Sequence, residues 1–373
     1  SSAVEGARYP LSFGQKRLFC FYQLAPQLPL YNVSLLYHIK GHLDVQALES
    51  ALLSVIQRHS MLRTKILTEG MQIYQETVDM SDFHFSLSVE EINFLNAKER
   101  KRSIDQFIRQ PFDLLRDVLL RCRVFKVNED EFYFAITMHH IIIDGWSAEL
   151  FLVELGELYG DYHFDRVDLP PLPEVNYRDF VHWEAAEASL EKLTSQVAYW
   201  KEQLKGFSPL KLPVDFHQSS DQDFRGECLY FSISKKQTVK LERLSRQHSV
   251  TFFTVLLSLF SILLSRYANQ TDVMIGAPIA GRKRLEFESV IGFFVNTLAL
   301  RCDLEGAPSF IDLAKRLQLM VIDAYDHQDV PFERLVQELK PIHDQNRHPF
   351  FQVMIVLEPL EETALHLYGL EVK

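Results

Sequence analysis

The residues best suited to do chemistry lie in one run, Met138-His139-His140-Ile141-Ile142-Ile143-Asp144-Gly145-Trp146-Ser147. An imidazole titrates near pH 6.5, so it can take or give a proton at neutral pH. The stretch 131–138 is rich in β-branched and aromatic residues and reads as a strand leading into the histidine pair. Successive side chains along a strand point to opposite faces, so His139 and His140 cannot both serve one site. That counts against a metal centre in which both imidazoles and Asp144 converge. It favours one working histidine and one packing histidine. Asp144 and Gly145 make a corner before a helix. An aspartate at such a corner can hold the turn by pairing with an arginine from elsewhere, and Gly145 permits a close backbone approach or a positive φ. A histidine pair at a strand end is on its own usually inert, but the wider HHxxxDG pattern at a strand-to-helix corner favours the working reading.

Other chemistries fail on their spacing. Gly276-Ala-Pro-Ile-Ala-Gly281-Arg282-Lys283 has the glycines of a phosphate loop but lacks Gly-Lys-Ser/Thr, and Pro278 removes an amide donor. Gly145-Trp-Ser147-Ala-Glu149 lacks the second glycine of a nucleophile elbow. No GxGxxG, HExxH or EF-hand loop occurs. What remains is a histidine without an evident protein nucleophile. This points to direct acyl transfer, in which an acceptor attacks an already activated acyl group while the histidine manages the proton or positions the nucleophile.

The elements expected to position this run alternate between helices and strands, which predicts α/β layers. Residues 46–59 carry Leu48, Leu52, Val55 and Ile56 on one helical face. Strands are expected over 61–66 and 71–78, then a surface helix over 98–109. A hairpin follows over 119–127 and 131–138, turning at Asn128-Glu129-Asp130, and then a helix over 147–159 with Ser147 as a cap. The Pro cluster Asp168-Leu-Pro-Pro-Leu-Pro-Glu174 reads as a linker. Beyond it, helices are expected over 176–205, 236–247, 250–267, 309–325 and 331–339, and strands over 228–234, 272–276, 295–302 and 350–356.

Composition is that of an ordinary globular chain: 373 residues, 47% apolar and 24% charged. At roughly 150 residues per domain the length suits two to three packing units. A net charge of −11 argues against a protein whose main task is gripping nucleic acid, although Lys98–Arg102 and Arg282–Arg284 are candidate basic patches. Cys20, Cys122, Cys228 and Cys302 are far apart with no CxxC, which fits reduced, buried thiols in a cytoplasmic protein. The N-terminus has no apolar signal region. Val250–Leu264, the most apolar stretch, is shorter than the roughly 20 residues of a membrane span and reads as a core helix.

At these residues the chain resembles the condensation domains of nonribosomal peptide synthetases, through seven signatures in order. Ser12-Phe-Gly-Gln15-Lys-Arg17-Leu18-Phe19 is similar to the first. Arg58-His59-Ser-Met-Leu62-Arg63-Thr64 is similar to the second, with Ser60 where Glu is common. Met138–Ser147 is similar to the third, with Ile143 where Ser or Met is frequent. Tyr177-Arg-Asp179-Phe180-Val-His-Trp183 resembles the fourth, and Ile291-Gly292-Phe-Phe294-Val295-Asn296-Thr297, with Arg301 after it, the fifth. His327-Gln328-Asp329-Val-Pro331-Phe332-Glu333 resembles the sixth and Arg347-His348-Pro349-Phe-Phe351-Gln352-Val353 the seventh.

The resemblance implies two chloramphenicol-acetyltransferase-like α/β lobes in a V-shaped pseudo-dimer with a central tunnel. The lobes are expected at 1–172 and 173–373, the second lacking its last strands and helix. It implies that His140 is catalytic, that Asp144 is structural and paired with Arg58 or Arg63, and that Gly145 lines the tunnel. His139, Ser147, Trp183 and Asn296 are supporting candidates. The implied reaction is amide formation between substrates carried on the phosphopantetheine arms of donor and acceptor peptidyl carrier proteins. The domain itself is expected to be a monomer beside neighbouring synthetase domains, with no metal, cofactor, nucleic acid or membrane of its own. The histidine takes the amine proton or stabilises the tetrahedral intermediate. The lean in donor subtype is away from an L-donor. An epimerisation domain and a catalytically silent carrier-docking module are the alternatives, the intact His140, Asp144 and Gly145 counting against the second.

Overall fold

The computed structural model describes residues 8–166, 169, 171–187, 191–216, 226–339, 348–358 and 365–373. Asp168 and Pro170 of the expected linker, residues 188–190 of the expected long helix and Arg347 of the seventh signature lie outside them.

The chain divides into two compact units. The first takes in the residues through Ala186, Ala280–Phe294 and the stretch ending at Lys373; the second takes in Glu187–Ile279 and Val295–Pro359. A boundary was expected at 172/173. Residues 173–186 lie with the first unit because Tyr177 is fully buried there, its ring against Phe180 and Phe294.

The first unit comprises β1 (Tyr9–Pro10), α1 (Phe13–Leu24), β2 (Asn32–Lys40), α2 (Val45–Arg58), β3 (Thr64–Glu69), β4 (Gln72–Thr77) and β5 (Ser88–Glu91). It continues with α3 (Ala97–Ile108), β6 (Leu120–Asn128), β7 (Glu131–His139), α4 (Gly145–His163), α5 (Tyr177–Glu187) and, near the C-terminus, β10 (Glu371–Val372). One sheet runs β10-β2-β7-β6-β5 and a smaller one β1-β4-β3. The expected hairpin forms β6 and β7, whose antiparallel ladder reaches Leu120 opposite Met138, while β2 flanks β7 with Asn32 opposite His139. Residues from Phe134 to His139 are buried without alternation, because both faces of β7 are covered. Helix α2 forms where the apolar spacing predicts it, capped by Asp44, and buries Leu48, Leu52, Val55 and Ile56.

The second unit comprises α6 (Glu191–Gln203), α7 (Lys235–Gln247), α8 (Phe252–Ala268), β8 (Asp272–Ile279), β9 (Asn296–Asp303), α9 (Phe310–Asp326) and α10 (Phe332–Leu339). β8 and β9 pair antiparallel from Asp272–Asp303 to Ile279–Asn296. Arg301 clamps the open end of this ladder, its Nε and Nη2 donating to the two carboxylate oxygens of Asp272 at 2.9 and 2.8 Å. Trp200, Leu257, Ile275, Leu300, Leu317 and Phe350 form its core.

Several expectations need correction. Within the expected helix 176–205, α5 and α6 are helical, and residues 188–190 between them lie outside the described residues. Residues 61–63 form a 3-10 turn before β3 rather than strand. The stretch 228–234 is not a strand; it has no ladder, and Leu229, Tyr230 and Phe231 are exposed. Its alternation needs a partner strand, and none pairs with it among the described residues. Likewise 350–356 makes only an isolated parallel bridge, Gly276 to Met354. Among the described residues no single helix is long and apolar enough to cross a membrane, and no cluster of His, Cys, Asp and Glu could hold a metal.

The cysteines divide evenly. Cys122 and Cys302 are buried, and burial pushes both thiols well above their ordinary range. Cys20 and Cys228 are exposed, which corrects the expectation that all four are buried. A disulfide reagent at pH 8 is expected to react quickly with two thiols in the native protein and with all four in denaturant. Four fast thiols under native conditions would contradict this burial.

Candidate functional site

The corner after β7 is built by backbone bonds. His140 N–H donates to the Tyr31 carbonyl at 2.8 Å, extending the β2–β7 pairing by one step. The chain then turns: Ile142 N–H donates to His139 O and Ile143 N–H to His140 O. Asp144 caps α4, its Oδ1 accepting from Ser147 N–H at 2.8 Å. Ser147 is therefore the third residue of the helix and not its cap.

The two histidines meet different surroundings. His139 is buried, packed against Tyr31 and Phe112, and its Nδ1 accepts from Ile141 N–H at 3.1 Å. Burial, assisted by the neighbouring His140, pushes its pKa down to about 3 from an ordinary 6.5. The unfolded chain thus binds a proton that the folded protein refuses. The stability this represents is present above about pH 6.5 and is lost as pH falls toward 3. The loss is expected to run at about 1 kcal/mol per pH unit within that window. His139→Asn keeps an acceptor for Ile141 N–H but cannot titrate, so urea unfolding at pH 7, 6, 5 and 4 should show a shallower slope for it. An unchanged slope would remove His139 as the cause.

His140 is partly exposed. Its Nδ1 lies 2.6 Å from the Ile143 carbonyl oxygen. A carbonyl only accepts, so Nδ1 carries the hydrogen and Nε2 of the neutral ring carries the lone pair. The ring meets Phe293 edge-on, with centroids 5.2 Å apart. Gly145 opens α4 without a positive φ, and a Cβ there would meet nothing within 4 Å. Neither the positive φ nor the close backbone approach expected at Gly145 is found; the position is open space.

The other wall is Ala280–Phe294, the segment between β8 and β9 that belongs to the first unit. Asp144 holds it through two contacts: Oδ2 accepts from Phe294 N–H at 3.0 Å, and Oδ1 meets Arg282 Nη2 at 3.2 Å. Both side chains of this ion pair are 2% exposed. Arg282 also donates to Ser147 Oγ at 2.6 Å, to Val290 O at 2.7 Å and to Phe287 O, and its guanidinium lies over the Phe294 ring at 3.9 Å. Burial lowers its pKa, against the opposing pull of Asp144. Ser147 Oγ accepts from Gly292 N–H and donates to Gly292 O, while Trp146 Nε1–H donates to Glu288 O. At Gly292 a Cβ would sit 2.0 Å from the Tyr177 ring, so only glycine lets this segment pass.

The arginine that meets Asp144 is therefore Arg282, correcting the expectation of Arg58 or Arg63. Arg58 pairs with Glu154 at 3.3 Å, and Arg63 donates to the Val78 carbonyl. Arg282 is likewise buried, so it is no part of a basic surface patch. Trp183 lies on α5 in an aromatic cluster with Phe180 and Phe287, bracing the same segment. Asn296 is in the second unit, where its Nδ2 donates to Gln328 O and Val330 O and its Oδ1 accepts from Phe332 N–H, fixing the loop before α10. The structure thus brings His140, Asp144, Ser147 and Arg282 together. Nothing in local spacing singles out Arg282, which lies 138 residues beyond its partner.

The family model named condensation domain matches residues 6–371. A linear gramicidin synthase polypeptide of Brevibacillus parabrevis is 37% identical over 370 residues, which cover 97% of this chain and 5% of that polypeptide. Chondramide synthase of Chondromyces crocatus is 36% identical over 365 residues, covering 97% of this chain and 9% of the synthase. The chain spans less than a tenth of the length of each of the first four curated relatives it matches. Among solved structures, the X-domain from teicoplanin biosynthesis matches with a TM-score of 0.87 at 26% identity, over 100% of this chain and 83% of that one. The first condensation domain of the CDA synthetase matches with a TM-score of 0.80 at 20% identity, over 100% and 87%. These neighbours bear out the mixed α/β, chloramphenicol-acetyltransferase-like fold class.

Proposed function

Because the chain belongs to the condensation-domain family of nonribosomal peptide synthetases, we propose that it joins an acyl or peptidyl thioester on a donor carrier protein to an amine on an acceptor carrier protein. The phosphopantetheine arms belong to those partners and enter as substrate. The observation that carries this reading is the 2.6 Å contact of His140 Nδ1 with the Ile143 carbonyl. In the neutral ring it puts the lone pair on Nε2, where a base for an ammonium-forming attack must carry it.

The amine lone pair attacks the thioester carbonyl carbon. Nε2 of His140 takes the proton that the nitrogen must shed. The tetrahedral intermediate collapses with loss of the C–S bond, and the proton passes to the leaving sulfur. The products are an amide on the acceptor arm and a free thiol on the donor arm, with no oxidant and no nucleotide consumed. A thioester is already activated, so positioning two tethered reactants supplies much of the rate. Asp144 and Arg282 do not touch the reacting atoms in this scheme; they hold the walls that frame His140.

The test is an intact-mass measurement on the acceptor carrier after mixing it, aminoacyl-loaded, with an aminoacyl-loaded donor carrier and this protein. A mass gain equal to the donor acyl group is expected. No gain with verified loading and a folded protein would overturn the reading and favour a silent carrier-docking module. Inversion of a carrier-bound residue without mass transfer would favour epimerisation.

A further inference from the structure

We propose that Gln15, locked in a buried amide pair with Gln75, is a positioning residue for His140. Both side chains are fully buried, at 0% exposure. Gln15 Nε2 donates to Gln75 Oε1 at 3.1 Å, and Gln75 Nε2 donates back to Gln15 Oε1 at 2.8 Å. The second hydrogen of Gln15 Nε2 goes to the Ile141 carbonyl at 3.0 Å, and that of Gln75 Nε2 to the Pro10 carbonyl at 3.0 Å. Gln15 Oε1 also accepts from Ser12 N–H at 3.0 Å. Every amide hydrogen of the pair is used, and no water is needed to complete it.

Two consequences follow from this closure. A fully satisfied buried polar network permits one arrangement, since any rotation leaves a donor unpaired in a dry interior. The arrangement it permits pins Ile141 O, the carbonyl next in the chain to His140. The imidazole's own restraint, Nδ1–H to Ile143 O, spans the same short turn. Holding Ile141 therefore fixes the backbone between the ring and its acceptor.

The same cap reaches the opposite wall. Gln15 N–H donates to Ser12 Oγ at 3.1 Å. Ser12 Oγ lies 2.9 Å from Tyr177 Oη, which lies 2.6 Å from the Phe293 carbonyl oxygen. That carbonyl can only accept, so Tyr177 donates to it and Ser12 donates to Tyr177. Phe293 is the residue whose ring meets His140. The N-terminus of α1 thus sets both the turn that carries the imidazole and the segment that faces it.

The activity arm of the test rests on the function proposed above; the spectroscopic arm does not. Gln15→Glu and Gln75→Glu are near-isosteric, and each loses at least one of the amide's two donated hydrogen bonds, since a carboxyl group carries one hydrogen when protonated and none when ionised. Only Gln15→Glu disturbs the donor to Ile141 O. Turnover in the carrier assay is expected to fall about thirtyfold or more in Gln15→Glu, and less than about fivefold in Gln75→Glu, with little change in carrier KM, since misplacing a reacting group is costly. Nitrogen-15 spectra of labelled His140 should show the Nδ1–H tautomer in the native protein and Gln75→Glu, and a mixture in Gln15→Glu. Equal losses in the two variants, or an unaltered tautomer in Gln15→Glu, would overturn the proposal. Should either acid prevent folding, Gln15→Met and Gln75→Met are read the same way. If the native protein transfers nothing, the proposed function fails while the tautomer measurement still decides the positioning role.

Discussion

His140→Ala is expected to lower amide formation at least about a hundredfold, near the lower bound for loss of a general base. That corresponds to about 2.7 kcal/mol of transition-state stabilisation. The fold should survive, because the imidazole is only partly buried and its side-chain hydrogen bond to Ile143 O is a local one. Single-turnover transfer between loaded carriers, followed by intact mass, measures the loss without interference from carrier exchange. His139→Asn supplies the contrast: it removes an imidazole one residue away that faces Tyr31 and Phe112. A folded His140→Ala variant with near-native transfer would show that Nε2 is not the base.

The second large effect is expected in stability. Asp144 and Arg282 are each 2% exposed, and removing one partner strands the other's charge in a dry site. Such a loss costs about 3–5 kcal/mol. Asp144→Asn keeps an oxygen for the helix cap but leaves the guanidinium unmatched. Arg282→Met keeps the volume but leaves the carboxylate with only the backbone donors of Ser147 and Phe294. Urea unfolding of both single variants and the double variant forms a cycle, and the double is expected to lose less than the sum by about 1–3 kcal/mol. Strict additivity would show that the pair is not the interaction that holds Ala280–Phe294.

The periodicity of the chain makes much of this visible. The 3.6-residue spacing in α2 and the Asn128–Asp130 turn between two β-branched runs both appear in the structure where local pattern places them. The corner after β7 is equally local, since a strand end, an aspartate and a helix meet within six residues. Long-range pairing is not encoded that way. Arg282 looks like surface charge because three basic residues adjoin, yet its side chain is buried by contacts with Asp144 and Ser147. Arg58 and Arg63 sit in a recognisable signature, and only the folded chain shows them reaching Glu154 and Val78. Gln15 and Gln75 are 60 residues apart and are polar in the wrong place for any hydrophobic pattern. The segment 228–234 alternates as a strand should, but alternation names a face and not a neighbour.

One consequence of the Ala280–Phe294 segment concerns exchange of parts between related chains. A splice at the Pro cluster would look neutral, because it falls between runs of regular structure. It would nevertheless place Asp144, Trp146 and Ser147 in one parent and their partners Arg282, Glu288, Gly292 and Phe294 in the other. Recombinants should therefore be judged by whether these positions were inherited together. A graft that carries the first 186 residues with Ala280–Phe294 moves the whole frame of His140 as a single heritable block.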